Sequence, residues 1–193
     1  RTGGATDFST VAWRRDGAFA WGAQEPPDYA LADDLPPPAH RHLRPDARGM
    51  AYIEASRGCP MHCSFCRYGQ DRGRTVYLSA EEVVHRIDIQ WRRGAREVRF
   101  IDPTFNSNPA FREILAALAL WNRPRKVGFF AEMVGATVSE EDAALLAQAG
   151  FVDIEIGIQS RNPQTLQAIH RSPRLAKLDR GVERLVAAGL HVT

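Results

Sequence analysis

From residue 51 onward the chain alternates between two hydrophobic periods. Ala51-Tyr52-Ile53-Glu54-Ala55-Ser56 repeats every second residue, as a half-buried strand does. Ser79 then opens a helix: Glu82 stands three residues later, as in a capping box, and Ala80, Val83, Val84, Ile87 and Trp91 follow at helical spacing up to Gly94. Val98–Asp102 reads as the second strand. Asn108-Pro109 places a capping side chain before a proline at the first helical position, and Phe111, Ile114, Leu115 and Leu118 form that helix's apolar stripe. A third strand spans Val127–Glu132, Ser139 with Asp142 starts a third helix that Gly150 stops, and Phe151–Ile158 is the fourth strand. Asn162-Pro163 caps again, a helix runs from Leu175 to Ala188, and Leu190–Thr193 begins a fifth strand. Strands and helices alternating through short loops define βαβ units and a parallel sheet, an α/β fold with four complete units and the start of a fifth.

The strands are not apolar on both faces, as they would be with helices on both sides. In the fourth, Val152, Ile154, Ile156 and Ile158 share a side while Asp153, Glu155, Gly157 and Gln159 share the other; Glu54 with Ser56, and Glu132, fit the same scheme. A polar inner face points to a curved, partial barrel whose concave side holds a ligand.

Residues 1–48 read as a separate region, an extended linker or the tail of an upstream domain, with residues 49–193 forming the core domain. Val11-Ala12-Trp13 and Phe19-Ala20-Trp21 pair as a hairpin turning at Asp16-Gly17. The prolines of Glu25-Pro26-Pro27-Asp28 and Pro36-Pro37-Pro38 keep the following stretch extended. Arg1 in place of Met leads us to expect a piece of a longer chain, C-terminally incomplete as well.

Composition narrows the function classes. With 25 Lys and Arg against 23 Asp and Glu, the formal charge of +2 lacks the excess that phosphate binding demands, and nucleic acid is not the expected partner. No stretch has the length of a membrane span and no signal peptide opens the chain, so a membrane is not expected either. The group Arg86, Arg92, Arg93, Arg96 and Arg99 reads as a solvated helix end.

The three cysteines, Cys59, Cys63 and Cys66, form a C-x3-C-x2-C loop directly after the first strand, the end of a parallel α/β strand where chemistry is placed. An odd number so close together makes a poor disulfide framework and a good metal loop, which implies a reducing, cytoplasmic compartment. Three thiolates can hold three irons of a 4Fe-4S cluster and leave the fourth iron open. Zinc completed by His62 or His85 is the alternative, although structural zinc is usually gripped by paired hooks from two segments and no second hook is present.

The spacing, the aromatic Phe65 just before the last cysteine and the (β/α) pattern that follows resemble the radical S-adenosylmethionine superfamily over residues 50–193. That resemblance implies a partial (β/α)6 barrel, truncated here after about four units. It also implies a 4Fe-4S cluster on Cys59, Cys63 and Cys66, and S-adenosylmethionine cleaved to a 5'-deoxyadenosyl radical that modifies a small organic substrate. Phe65 counts among the cofactor-binding positions. Asp102 and Thr104, in Asp102-Pro103-Thr104-Phe105-Asn106, occupy the place where the family often has a Gly-Gly-Glu stretch that receives the methionine amino group; the glycines are absent here. Glu132 is a candidate for the ligand's ammonium or ribose, with a buried salt bridge as the alternative. Gln159 and Ser160 match ribose-binding positions, Gly157 would permit close approach, and Arg171 resembles an arginine placed at the ligand carboxylate. A reducing donor such as flavodoxin or ferredoxin is the implied partner.

The linker Leu31-Ala32-Asp33-Asp34-Leu35-Pro36, shortly before Ile53-Glu54-Ala55-Ser56-Arg57-Gly58-Cys59, looks like the junction with an N-terminal cobalamin-binding domain, and cobalamin would make methylation or rearrangement the expected reaction. Two readings stand beside this one: a transfer-RNA methylthiotransferase, which shares the motif, and a non-catalytic zinc or iron–sulfur interaction module.

Overall fold

The computed structural model describes residues 12–15, 18–21, 43–66, 68 and 75–193. The chain separates into two compact units, 1–35 and 36–193, a division that falls inside the proline-rich linker. In the first unit β1 (Ala12–Arg15) pairs antiparallel with β2 (Ala18–Trp21), Trp13 opposite Ala20. The Asp16-Gly17 turn and the linker stretches Glu25–Asp28 and Leu31–Pro38 lie outside the described residues.

The second unit is built on a five-stranded parallel sheet. Its strands are β3 (Met50–Ile53), β6 (Glu97–Phe100), β7 (Gly128–Met133), β8 (Phe151–Ile156) and β9 (His191–Val192), and they lie side by side in chain order. Two short strands, β4 (Ser56–Arg57) and β5 (Val76–Tyr77), pair antiparallel where the chain leaves and returns from the cysteine region. Helices α1 (Ala80–Arg92), α2 (Phe111–Trp121), α3 (Glu140–Ala149), α4 (Pro163–Ala168) and α5 (Leu175–Ala187) complete the βα units. Sequential parallel order, with β3 and β9 at open edges among the described residues, is an incomplete barrel wall.

The core fills the space between the sheet and its helices. Ala51, Ile53, Val98, Phe100, Phe129, Ala131, Met133, Ile154 and Ile156 point that way, against Val83, Ile87, Ile114, Leu115, Leu118, Leu146 and Leu185. Phe100 lies at its centre, with ring centroids 4.3 Å from Phe105 and 5.9 Å from Phe151. Close approach matters at Gly181 of α5, where a Cβ would fall 1.9 Å from the carbonyl oxygen of Gly135. A helix can lie on that turn only with no side chain there.

Several local readings are corrected. The first strand stops at Ile53 rather than Ser56, because the N–H of Ala55 donates to the Asp102 carboxylate instead of a neighbouring strand. Glu54 therefore leaves the inner face and pairs with Arg57 and Arg86. In β8 a bulge between the pairs Phe129–Phe151 and Phe130–Asp153 places Phe151 in the core, 2% exposed, and leaves Val152 46% exposed, so Val152 does not share a side with Ile154. Asn108 does not cap α2, which begins at Phe111 after Ala110. Buried, its side chain accepts from the Ala110 N–H at 2.9 Å through Oδ1 and donates to the carbonyls of Ala55 and Leu78, each at 3.3 Å. Only half of the box at Ser79 forms: its hydroxyl accepts from the N–H of Glu82, whose carboxylate turns to Arg86 at 2.7 Å. Arg86 is thus no solvated helix end, being 5% exposed.

The full capping box forms at α3. Ser139 Oγ accepts from the N–H of Asp142 at 3.1 Å, and the Asp142 carboxylate accepts from the Ser139 N–H at 2.9 Å. At α4, Asn162 Oδ1 accepts from Gln164 and Thr165, with Pro163 at the first position.

Candidate functional site

The C-terminal ends of the strands carry a cavity of about 360 Å³. Cys59, Cys63 and Cys66 line it together with Thr104, Glu132, Glu155, Gly157, Gln159 and Arg171. This is the end of a parallel sheet at which chain connections leave a crevice, so loops from successive strands meet there.

The cysteine loop is held from beneath by the segment that follows β6. Both Asp102 oxygens accept from the Ala55 N–H, at 2.9 and 3.1 Å, and Oδ1 also accepts from the Ser56 hydroxyl at 2.5 Å. Asp102 is 1% exposed and burial raises its pKa, with the bonds from Ser56 and Ala55 working against that rise. It lies outside the cavity lining. Its oxygens are bonded to the chain just before Cys59, so it stands behind the cavity wall.

Thr104 does reach the cavity. Its hydroxyl donates to the Pro103 carbonyl at 2.6 Å, and Cys59 Sγ lies 3.5 Å from Thr104 Oγ1. Asn106 lies in a single 3-10 turn, Phe105–Ser107. Its amide donates to the Val134 carbonyl and accepts from the Val134 N–H, both at 3.0 Å, fastening the loop after β6 to the loop after β7.

Cys63 is buried, and Cys59 and Cys66 are half-buried; all three are free thiols. Among the described residues no three His, Cys, Asp or Glu side chains converge as ligands to a single ion. Three thiolates on one cavity wall can each ligate a separate iron of a cluster. Phe65 lines the same cavity, 56% exposed. His62 is exposed and does not line it.

On the opposite wall Glu132 and Glu155 are register partners on β7 and β8. Burial raises the pKa of Glu132 and the neighbouring Glu155 carboxylate raises it further. The alternative of a salt bridge at Glu132 has no partner among the described ion pairs. Glu155 was legible as part of the polar face but not as a site residue; its pairing with Glu132 depends on the register of two strands.

Gln159 lines the cavity in the left-handed backbone region, φ 61°, and His170, also lining it, has φ 55°. Such positions on non-glycine residues store strain and concentrate at functional sites. Ser160 stands outside the cavity lining, and its hydroxyl accepts from the Asn162 N–H at 3.1 Å in the turn before α4. Arg171 bridges the two walls, donating to the Gly157 carbonyl at 2.6 Å and to Cys63 Sγ at 3.5 Å.

An open parallel barrel wall with a three-cysteine loop at its C-terminal end defines a cofactor-binding α/β domain. The radical SAM superfamily model matches residues 53–193, and the chain belongs to that superfamily. The hopanoid C-2 methylase of Rhodopseudomonas palustris is 28% identical over 82% of this chain and 31% of that protein. The tRNA-2-methylthio-N(6)-dimethylallyladenosine synthase of Deinococcus radiodurans is 30% identical over 45% of this chain and 16% of that one. The radical S-adenosylmethionine methyltransferase TsrM from Kitasatospora setae, solved with tryptophan substrate and the SAM analogue aza-SAM, shares the fold with a TM-score of 0.67 and 20% identity. The match covers 75% of this chain and 29% of that one. The chain thus spans about a third of the length of the curated relatives it matches. Among the described residues no helix is long and apolar enough to cross a membrane.

Proposed function

We propose that this chain is the cofactor-binding domain of a cobalamin-dependent radical SAM enzyme that methylates or rearranges a small organic substrate. One observation carries the reading: the three motif cysteines share a single cavity with polar side chains from the three successive strand ends that follow. Cys59, Cys63 and Cys66 would hold a 4Fe-4S cluster, and Thr104, Glu132, Gln159, Arg171 and Phe65 surround the space for S-adenosylmethionine. Ser160 and Asp102 support the turns beside it. When bound, the reduced cluster supplies the electron that opens the sulfonium of S-adenosylmethionine, and cobalamin supplies a transferable methyl group.

This chain's own part is to bind, orient and exclude water. The half-buried Glu132 beside Glu155 places negative charge where a cationic ligand group is attracted, and the apolar rim of Met61, Phe65, Tyr68 and Ile158 limits access of water. Residues 1–48 would be an extended linker to, or the tail of, an upstream cobalamin-binding domain. A flavodoxin or ferredoxin would supply electrons in the cytoplasm.

Methylation is favoured over methylthiolation of transfer RNA because the hopanoid and bacteriochlorophyllide methylases keep 28–30% identity over 82–83% of this chain, whereas a transfer-RNA synthase aligned over 76% of it is 25% identical. The near-balanced charge of +2 also offers RNA no strong phosphate-binding surface.

The test is electron paramagnetic resonance on anaerobically reconstituted, dithionite-reduced protein. A reduced-cluster signal that shifts on adding S-adenosylmethionine is the expected result, with Cys63→Ala losing iron and sulfide while keeping its circular dichroism. A signal indifferent to S-adenosylmethionine, or zinc in place of iron, overturns the reading and leaves the interaction-module alternative.

A further inference from the structure

Two neighbouring points of the cysteine loop are gripped by the segment that closes α4. The Ser64 N–H donates to the Ile169 carbonyl at 3.2 Å, and the guanidinium of Arg171 reaches Cys63. Between them His170 takes a left-handed conformation, φ 55°, and the Arg171 N–H bonds back to the Leu166 carbonyl at 2.8 Å. The backbone of Arg171 is fixed before its side chain acts.

The side chain is fixed as well. Nη2 donates to the Gly157 carbonyl at 2.6 Å, and because the guanidinium is planar, that bond sets the direction in which Nη1 points. Nη1 points at Cys63 Sγ, 3.5 Å away. Cys63 is the buried member of the three cysteines, so water competes least for its sulfur. Cys59, by contrast, meets the neutral hydroxyl of Thr104. The loop therefore presents one sulfur to a permanent cation and another to a neutral dipole.

We propose that Arg171 is a positioning residue that tunes the electron affinity of the centre held by the cysteine loop, acting through its hydrogen bond to Cys63. The inference rests on the cluster reading given above. A donor on a ligand sulfur withdraws charge from it, and a cation beside it favours whichever state carries more negative charge, which is the reduced one. Arginine is suited to this because it stays protonated across the working pH range. The role is distinct from the carboxylate-binding place that the family resemblance implies, since it requires no S-adenosylmethionine.

The experiment measures the midpoint potential of the reconstituted cluster by dye-mediated titration with paramagnetic detection, in the absence of S-adenosylmethionine. Wild type is compared with Arg171→Ala and Arg171→Lys at equal iron and sulfide content. The expected result is a more negative midpoint in Arg171→Ala. Arg171→Lys, which keeps the charge and loses the planar fork, should fall between the two. A midpoint unchanged in Arg171→Ala, with only S-adenosylmethionine affinity reduced, overturns the inference in favour of a ligand-carboxylate role. If Arg171→Ala fails to assemble a cluster, an unchanged midpoint in Arg171→Lys overturns it equally. Loss of the cluster from both variants in protein that keeps its circular dichroism makes the residue a structural clasp and also overturns it. Wild type that assembles no cluster removes the underlying reading itself, an outcome separable from all of these.

Discussion

A carboxylate that is 1% exposed must have its oxygens satisfied, and Asp102 shows what that requirement does to a site. In the sequence it is an acidic residue at a strand end, a natural candidate for a ligand. In the fold its oxygens take the Ala55 N–H and the Ser56 hydroxyl, and it becomes the peg on which the cysteine loop is hung. Asp102→Asn replaces an acceptor oxygen with an amide donor, facing one donor with another and leaving a buried group unsatisfied. The expected cost is about 1–3 kcal/mol in urea unfolding, together with a lower iron content after reconstitution. Unchanged stability and full iron would show that the loop holds itself. The cysteine loop and its place after the first strand were legible from spacing alone. The work of Asp102, Ser160 and Arg171 was not, because each depends on a partner many residues away or on a turn that sequence pattern does not resolve.

Helix α3 shows how an element gains from its first turn. The Asp142 carboxylate is opposed by burial, yet the Ser139 N–H and hydroxyl and the Arg112 guanidinium outweigh that and hold its pKa below the ordinary carboxylate value. A group whose pKa is lower folded than unfolded stabilises above the unfolded value and loses that contribution as pH falls through the folded one. Ser139→Ala is expected to cost about 1 kcal/mol at neutral pH. It should also flatten the acid limb of the stability curve, measured by urea unfolding from neutral to strongly acid pH. An acid limb as steep as wild type would mean that the backbone N–H at position 139 and Arg112 hold Asp142 without the hydroxyl. This box was legible in the sequence, and so was the Asn162-Pro163 start of α4, since both are local. Asn108 was legible only in part: its oxygen bonds the local Ala110 N–H, but the helix starts later and its amide is used across the fold, by the Ala55 and Leu78 carbonyls.

At the scale of the molecule, the order β3-β6-β7-β8-β9 puts β7 and β8 among neighbours on both sides and, among the described residues, leaves β3 and β9 at open edges. Opening free energies vary across a structure, being smallest where backbone bonds face solvent and core contacts are few. Amide exchange is therefore expected to be slowest along Phe129–Met133 and Ile154–Ile156 and faster in the two-residue β9. Exchange in β9 as slow as in β7 would mean that something else covers that edge.

The alternation of strand and helix, the parallel sheet, the polar inner face and the cysteine loop were all determined by the sequence itself, because each is a periodicity or a local spacing. The tertiary structure alone decided which polar groups face the cavity. Glu132 and Glu155 meet through strand register, Val152 leaves the core through a bulge, and Arg171 reaches Cys63 because a left-handed turn and the Gly157 carbonyl fix its direction. The physical reason is that buried polar groups must be paired, and their partners come from segments brought together only when the sheet forms.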